Sequence, residues 1–184
     1  MASVDHGAAG VFGPALAVGV GLGGFLDGIV LHQILGWHHV LSSRPGFDLR
    51  ANEVADGVFH AATWLVLLGA VVWLYRRLRQ PPVAAAWPRL DAGPRPWRAL
   101  VGPMLMGWGL FNLVEGLIDH HLLGLHHVRS GPGQLGWDLA FLASGVVIAA
   151  AGFLVARRRP VSDAEPAGAS TGPDAGTPRS ADGG

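Results

Sequence analysis

Long apolar stretches alternate with short polar ones along the 184-residue chain. Four of these stretches reach the length of about 20 residues that a helix needs to cross a hydrocarbon core of roughly 30 Å. They lack the period-2 alternation of a strand, and only helices or closed barrels can span lipid. The pattern therefore predicts an all-α fold, an integral membrane four-helix bundle with spans near residues 11–35, 54–75, 100–123 and 137–155.

Composition supports a membrane protein, and the arginines orient it. Half of the residues are hydrophobic and only 14% are charged; the formal net charge is zero, so we expect a lipid bilayer and no nucleic acid as partner. Short arginine-rich loops stay in the cytoplasm. Nine arginines lie between spans two and three or directly after span four: Arg76, Arg77, Arg79, Arg89, Arg95, Arg98, Arg157, Arg158 and Arg159. The other two loops hold three, and we therefore predict a multi-pass protein with both termini cytoplasmic.

Residues 27–40 recur as residues 115–128 with their chemistry intact. Asp27 becomes Glu115, while the glycine after the acid, the histidine five residues after the acid and a His-His pair near the end keep their places. A shift of 82 residues likewise aligns Asp56 with Asp138. We therefore predict two tandem, parallel two-helix repeats, related by an approximate two-fold axis along the membrane normal.

The predicted organisation follows from this duplication. A short cytoplasmic N-terminus (1–10) precedes the first transmembrane hairpin (11–79), and a Pro/Arg-rich cytoplasmic connector (80–98) leads to the second hairpin (99–159). Residues 160–184 are mostly Ala, Gly, Pro, Ser, Thr and Asp. Such a segment buries too little apolar surface to fold, and we predict a disordered cytoplasmic tail.

The spans carry acids, which lipid disfavours. A charge near the bilayer centre costs about 2.5–3.5 kcal/mol, and five acids lie in or near the helices: Asp27, Asp56, Glu115, Asp119 and Asp138. The chain has no lysine and no arginine inside the spans, so the counter-charges are protonated histidines, protons on the acids or bound cations. Imidazoles and carboxylates without cysteine suit Zn²⁺, Fe²⁺, Mn²⁺ or Cu²⁺. We predict a transition-metal site, for Cu, Zn or Fe, in the outer half of the bundle.

Helical geometry ranks the candidate ligands. On an α-helix His32 and His39, seven residues apart, share a face, and Asp56 and His60 at i and i+4 reach one point. These angles hold only as far as Gly36 and Gly124, because either glycine can end its helix. The ligands predicted to contact the metal are His32, Asp56, His60 and His120.

The remaining polar residues of the two motifs are assigned supporting roles. Asp27, Glu115 and Asp119 would surround the first ligands or hold a second metal, and His39 and His127 would form a gate for the metal. Further candidates are His38, His121, His126 and Asp138. A single intramembrane histidine is more often hydrogen-bonded to a neighbouring helix than bound to metal. The repetition of the histidines favours a ligand set.

Three other functions stay open at this point. Two facing imidazoles could bind haem in an electron-transfer protein. A chain of acids and histidines could conduct protons or cations, and a four-helix unit would then require a homodimer to make a pathway. A di-iron enzyme is the third alternative, although the Glu-x-x-His spacing of such bundles is absent from the sequence. No catalytic residue is assigned.

The residues of these motifs also resemble a known family. The runs 28–39, 56–60 and 111–129 closely resemble the domain of unknown function 2243 family of bacterial predicted membrane proteins, in the same order and spacing, over about residues 15 to 158. The resemblance implies a four-helix protein of the bacterial inner membrane without an established activity. It also implies a link to respiratory oxidase metal handling, because relatives are sometimes joined to, or encoded near, a cytochrome oxidase assembly factor of the copper-handling type. Such a factor is the expected protein partner.

Overall fold

The fold is seen in a computed structural model that describes residues 2–81, 83–84 and 97–157. In these residues the chain forms no strand and four long α-helices: α1 (Ala2–Asp27), α2 (Leu49–Leu78), α3 (Arg98–Glu115) and α4 (Gln134–Ala156). Helices α1 and α3 each continue directly into a wider π-helix, which we label π1 (Gly28–Ile34) and π2 (Gly116–Leu122).

The helices confirm the four predicted spans. Within the described residues, four stretches are long and apolar enough to cross a membrane: Gly10–Ile34, Leu49–Leu78, Arg98–Leu122 and Gln134–Ala156. Helix α2 begins several residues before its predicted span, because Asp48 caps it by accepting a hydrogen bond from Ala51 N at 2.8 Å.

The structure describes only parts of the predicted N-terminus and connector. Helix α1 begins at Ala2, so most of the segment predicted as a separate N-terminus is part of the first helix. The predicted tail (160–184) and most of the predicted connector (80–98) lie outside the described residues.

Helices α1 and α3 form the centre of the bundle. They pack against each other, while α2 packs against α1 and α4 packs against α3. The protein itself buries 50% of the α1 span and 39% of the α3 span, but only 11% of the spans of α2 and α4. Large apolar side chains of α2 and α4, such as Leu65 and Val147, are exposed and therefore face lipid.

Two glycines let the backbones of α1 and α3 touch. A Cβ atom on Gly19 would overlap the carbonyl oxygen of Met104, and a Cβ atom on Gly107 would overlap the carbonyl oxygen of Leu16. Small residues at a crossing are usual in membrane helices, because lipid provides no hydrophobic drive for helix association and close packing replaces it. This crossing holds together the two helices that carry π1 and π2.

We expect Gly19→Ala and Gly107→Ala each to destabilise the protein by about 1–3 kcal/mol, the usual cost of overpacking a filled contact. Thermal unfolding of the detergent-purified protein, followed by circular dichroism, measures the change. Gly69→Ala is the matched control, because a Cβ on Gly69 of α2 meets open space. Equal melting temperatures for all three variants would contradict the close crossing.

Candidate metal centre

The π-helices place an acid and a histidine on one face. In an α-helix, residues five apart point about 140° away from each other, whereas a π-helix bonds residue i to residue i+5 and so stacks them. Asp27 Oδ2 therefore lies 3.4 Å from His32 Nε2 in the first half. Glu115 Oε1 lies 3.0 Å from His120 Nε2 in the second. All four residues are at most 8% exposed.

Each π-helix ends at a glycine that turns the chain back towards the bundle. Gly36 and Gly124 both have φ of 56°, a left-handed conformation that glycine adopts without strain. After the first of these turns, Trp37 N donates to Leu31 O at 3.0 Å and closes the helix end. The loops that follow are thus directed over the acid and histidine pairs.

The loops after the two π-helices, residues 35–48 and 123–133, each place one histidine in the cluster and hold the histidine of the other loop. His38 Nδ1 lies 2.8 Å from Val128 O, and His126 Nδ1 lies 3.1 Å from Val40 O. A carbonyl oxygen only accepts hydrogen bonds, so both Nδ1 atoms carry a proton and donate it. The two rings stack with centroids 4.5 Å apart and planes 10° apart. Each loop is therefore held in place by the other loop.

A buried aspartate of α2 ties the first loop to the helices. Asp56 Oδ1 accepts from Val40 N at 2.9 Å and from His32 Nδ1 at 3.1 Å. Its Oδ2 accepts from His39 Nδ1 at 2.6 Å. Because a carboxylate behind an imidazole fixes the ring and makes its other nitrogen more basic, Asp56 prepares His32 Nε2 to bind a cation.

Asp138 of α4 occupies the matching place in the second half. Its Oδ1 accepts from Val128 N at 2.9 Å and lies 3.7 Å from His120 Nδ1. Its Oδ2 accepts from His127 Nδ1 at 2.7 Å. The same carboxylate thus contacts both the loop and the buried imidazole, as Asp56 does.

Several polar atoms of this cluster are buried without a hydrogen-bond partner. They are Nε2 of His32, Nε2 of His38, both ring nitrogens of His120, Asp27 Oδ2 and Glu115 Oε2. The 3.0 Å contact between His120 Nε2 and Glu115 Oε1 lacks hydrogen-bond geometry. An unpaired buried polar group costs about 1–3 kcal/mol. A cation or a donating group among these atoms would give them a partner.

The ring of His126 shows most directly that the cluster requires a proton or a cation. Its Nδ1 proton is used on Val40 O, so a neutral ring presents the lone pair of Nε2 to Glu115 Oε1, which is 2.9 Å away. Two acceptors at this distance repel each other unless a proton or a cation lies between them.

The donor atoms fall into two groups that share His126. His32, His38 and His126 offer donor atoms that all lie within 4.8 Å of one another, and Glu115, His120 and His126 do the same. All five residues are buried. Transition metals take imidazole nitrogen and carboxylate oxygen at about 2.0–2.2 Å, so two donors of one ion are at most about 4.4 Å apart, and small side-chain movements would close either group around an ion.

His38 lies in the first of these loops, beyond the end of the first span. Burial, together with repulsion from the imidazoles of His126 and His32, lowers its pKa to about 3. The ring is therefore neutral at physiological pH, and its unpartnered Nε2 carries a lone pair that a cation can use.

A model of a protein family, described as "Predicted membrane protein (DUF2243)", matches residues 14–159. The chain belongs to this family. The matched residues run from within α1 to beyond the end of α4 and include every residue of the cluster. No curated protein matches the chain, and no solved structure matches it.

Some residues predicted as ligands lie apart from the two groups in this DUF2243 protein. His60 Nδ1 donates to Asp56 O at 2.7 Å, and its buried Nε2 packs against Gly28 without a partner. The side chains of Asp56 and His60 therefore do not reach one point. Asp119 is half-buried and His121 is exposed.

The histidines predicted as a gate lie at the outer edge of the cluster. The side chains of His39 and His127 are 29% and 23% exposed, and each donates to the buried aspartate of its own half. Sequence reasoning missed the backbone groups of Val40 and Val128, which hold both aspartates and both stacked histidines. No side-chain pattern indicates such contacts.

We expect Asp56→Ala to release the first loop (residues 35–48) of this DUF2243 protein, because Val40 N, His39 and His32 all lose their acceptor. Hydrogen bonds to a charged group contribute about 1.5–3 kcal/mol each, so amide exchange over residues 37–45, measured by mass spectrometry, should rise at least tenfold. Glu53→Ala is the control, since Glu53 is exposed on the same helix. Unchanged exchange in Asp56→Ala would show that the carboxylate does not hold the loop.

Proposed function

We propose that this protein binds divalent transition metal in the outer half of its membrane-spanning bundle. The ligands are the imidazoles of His32, His38, His120 and His126 and the carboxylate of Glu115. Asp56 and Asp138 orient the rings, and His39 and His127 connect the site to the outer surface.

The observation that carries this proposal is the set of acceptors that face one another in the buried cluster. His126 Nε2 lies 2.9 Å from Glu115 Oε1 while its other nitrogen already donates to a carbonyl. His32 and His38 each bury an unpartnered Nε2 and also donate through Nδ1. Bound metal resolves these conflicts, because each lone pair then has an electrophilic partner.

The types of donor atom limit which metal ions the site can bind. Neutral imidazoles with one or two carboxylates suit Zn²⁺, Cu²⁺ or Fe²⁺, and the chain has no cysteine to favour a softer ion. The family resemblance supports placing this binding in respiratory oxidase metal handling, with a copper-handling assembly factor as partner.

Ring contacts support an ion over haem. The centroids of His32 and His38 are 4.4 Å apart, and those of His120 and His126 are 4.9 Å apart. Imidazoles that bind haem iron from both sides are separated by the porphyrin plane, and rings already in contact leave no room for it.

A proton path is the second candidate, and one chain of contacts favours it. Asp27, His32, Asp56 and His39 follow one another at 3.4, 3.1 and 2.6 Å, from the buried cluster to a half-exposed ring. The same chain could remove the protons that histidines release when they bind metal. Metal content separates the two functions.

We also propose that the two halves are tandem repeats with an approximate two-fold axis along the membrane normal. Two reciprocal contacts support this: His38 donates to Val128 O, 90 residues away in sequence, and His126 donates to Val40 O, 86 residues away. In the orientation set by the arginines, the cluster faces the outside of the bacterial inner membrane and both termini face the cytoplasm.

Wild-type protein purified with added Zn²⁺ or Cu²⁺ should retain metal after gel filtration, as measured by elemental analysis. Its free energy of unfolding should increase by about 2.7 kcal/mol when free metal reaches 100 times the dissociation constant, because the ion binds only the folded state. The double variant His32→Ala, His120→Ala should bind none, and its melting temperature should not respond to metal.

His121→Ala is the matched control for this experiment. His121 follows His120 directly but is exposed, so its loss should leave metal content unchanged. A wild-type protein that never retains metal and melts at the same temperature with and without it would refute metal binding and leave the proton path.

The orientation can be tested by labelling single cysteines, because the chain has none of its own. Ser43→Cys in the first outer loop should react with a membrane-impermeant maleimide in intact cells. Gln80→Cys, after α2, should react only once the cells are opened. The reverse pattern would overturn the arginine-based orientation.

A further inference from the structure

We propose that the site holds two divalent cations, one in each half of the protein. This inference rests on the proposed metal binding and specifies the number of ions and the ligands of each. The first set is Asp27, His32 and His38, and the second set is Glu115, His120 and His126.

The second set already has the spacing of a coordination shell. Glu115 Oε1 lies 3.0 Å from His120 Nε2 and 2.9 Å from His126 Nε2. Donors that surround an ion at about 2.0–2.1 Å are themselves roughly 3.0–3.4 Å apart. Three side chains of one half thus supply three donors of one shell.

The first set repeats this arrangement in a wider form. Asp27 Oδ2 lies 3.4 Å from His32 Nε2, and His38 adds an unpartnered Nε2 from a ring 4.4 Å from that of His32. Among the described residues, the donors of this first set are not all within 4.8 Å of one another. We therefore expect the second set to bind its ion more tightly.

The stacked rings at the middle argue against one ion shared by both halves. The lone pair of an imidazole nitrogen lies in the plane of its ring, and the planes of His38 and His126 are only 10° apart with centroids separated by 4.5 Å. Two such lone pairs do not converge on one point. Apart from this stacked pair, rings of the same half, at 4.4 and 4.9 Å, are closer than the rings of His32 and His126 at 5.9 Å or of His38 and His120 at 6.3 Å.

Charge favours two ions as well. Four buried carboxylates surround the cluster: Asp27, Asp56, Glu115 and Asp138. Within the described part of the chain, their ion-pair partners are all histidines. Two divalent cations balance four carboxylates without requiring a protonated imidazole, whereas one cation leaves two negative charges in a medium that disfavours them.

Equilibrium dialysis of the detergent-purified full chain against Zn²⁺, with elemental analysis, tests the number of ions. We expect two Zn²⁺ per wild-type chain, the second bound at least tenfold more weakly than the first. His32→Ala should keep only the tighter ion, and His120→Ala only the weaker one. His121→Ala should keep both.

Where an alanine variant fails to fold, Asp27→Asn and Glu115→Gln replace it, because they keep the shape of the side chain and remove the charge. Cu²⁺ provides a readout that needs no variant: two neighbouring ions should show magnetic coupling by electron paramagnetic resonance.

One ion per wild-type chain, with an isolated Cu²⁺ signal, would overturn the two-ion site while leaving metal binding intact. Loss of both ions in each single variant would overturn the assignment of one ion to each half. No bound ion at all would refute the proposed function itself.

Discussion

Buried carboxylates in a chain without lysine are the constraint on which the end of the bundle that carries the two π-helices depends. Asp56 and Asp138 are each 1% exposed, inside helices whose other faces meet lipid. An uncompensated charge in a membrane costs several kcal/mol of free energy. In the described structure each aspartate accepts a hydrogen bond from a backbone N–H and contacts imidazole rings. The loops, the π-helices and the histidines are arranged around that requirement.

The constraint also explains why so much of the polar structure is made by backbone groups. Val40 and Val128 each contribute an N–H to an aspartate and a carbonyl to a histidine. Every residue except proline supplies the same backbone groups, so these hydrogen bonds do not depend on the chemistry of the valine side chains. The histidines and acids have no such freedom, since each uses its side-chain atoms.

Hydropathy was sufficient to predict the four spans, because a membrane helix must be both long and apolar. The site was harder to predict, for a specific reason. Phasing at 100° per residue separates Asp27 from His32 and brings Asp56 to His60, but the chain widens into a π-helix at Gly28 and at Gly116. The spacing of five residues between acid and histidine, present in both motifs, was the available signal for this change.

Loop geometry was beyond sequence reasoning for another reason. The prediction that Gly36 and Gly124 can end their helices agrees with their positive φ angles. Where the chain goes next depends on tertiary contacts between segments far apart in sequence. The stacking of His38 on His126, for example, follows from two crossed hydrogen bonds and from no local pattern.

These crossed hydrogen bonds impose an order on biosynthesis. His38 and the carbonyl that holds it, Val128 O, are 90 residues apart. At a synthesis rate of about 5–20 residues per second, the first half waits roughly 5–20 s before its partner loop exists. Until then His38 lacks the carbonyl that holds it. Closure of the cluster is therefore a late event, which can take place only after Val128 has left the ribosome.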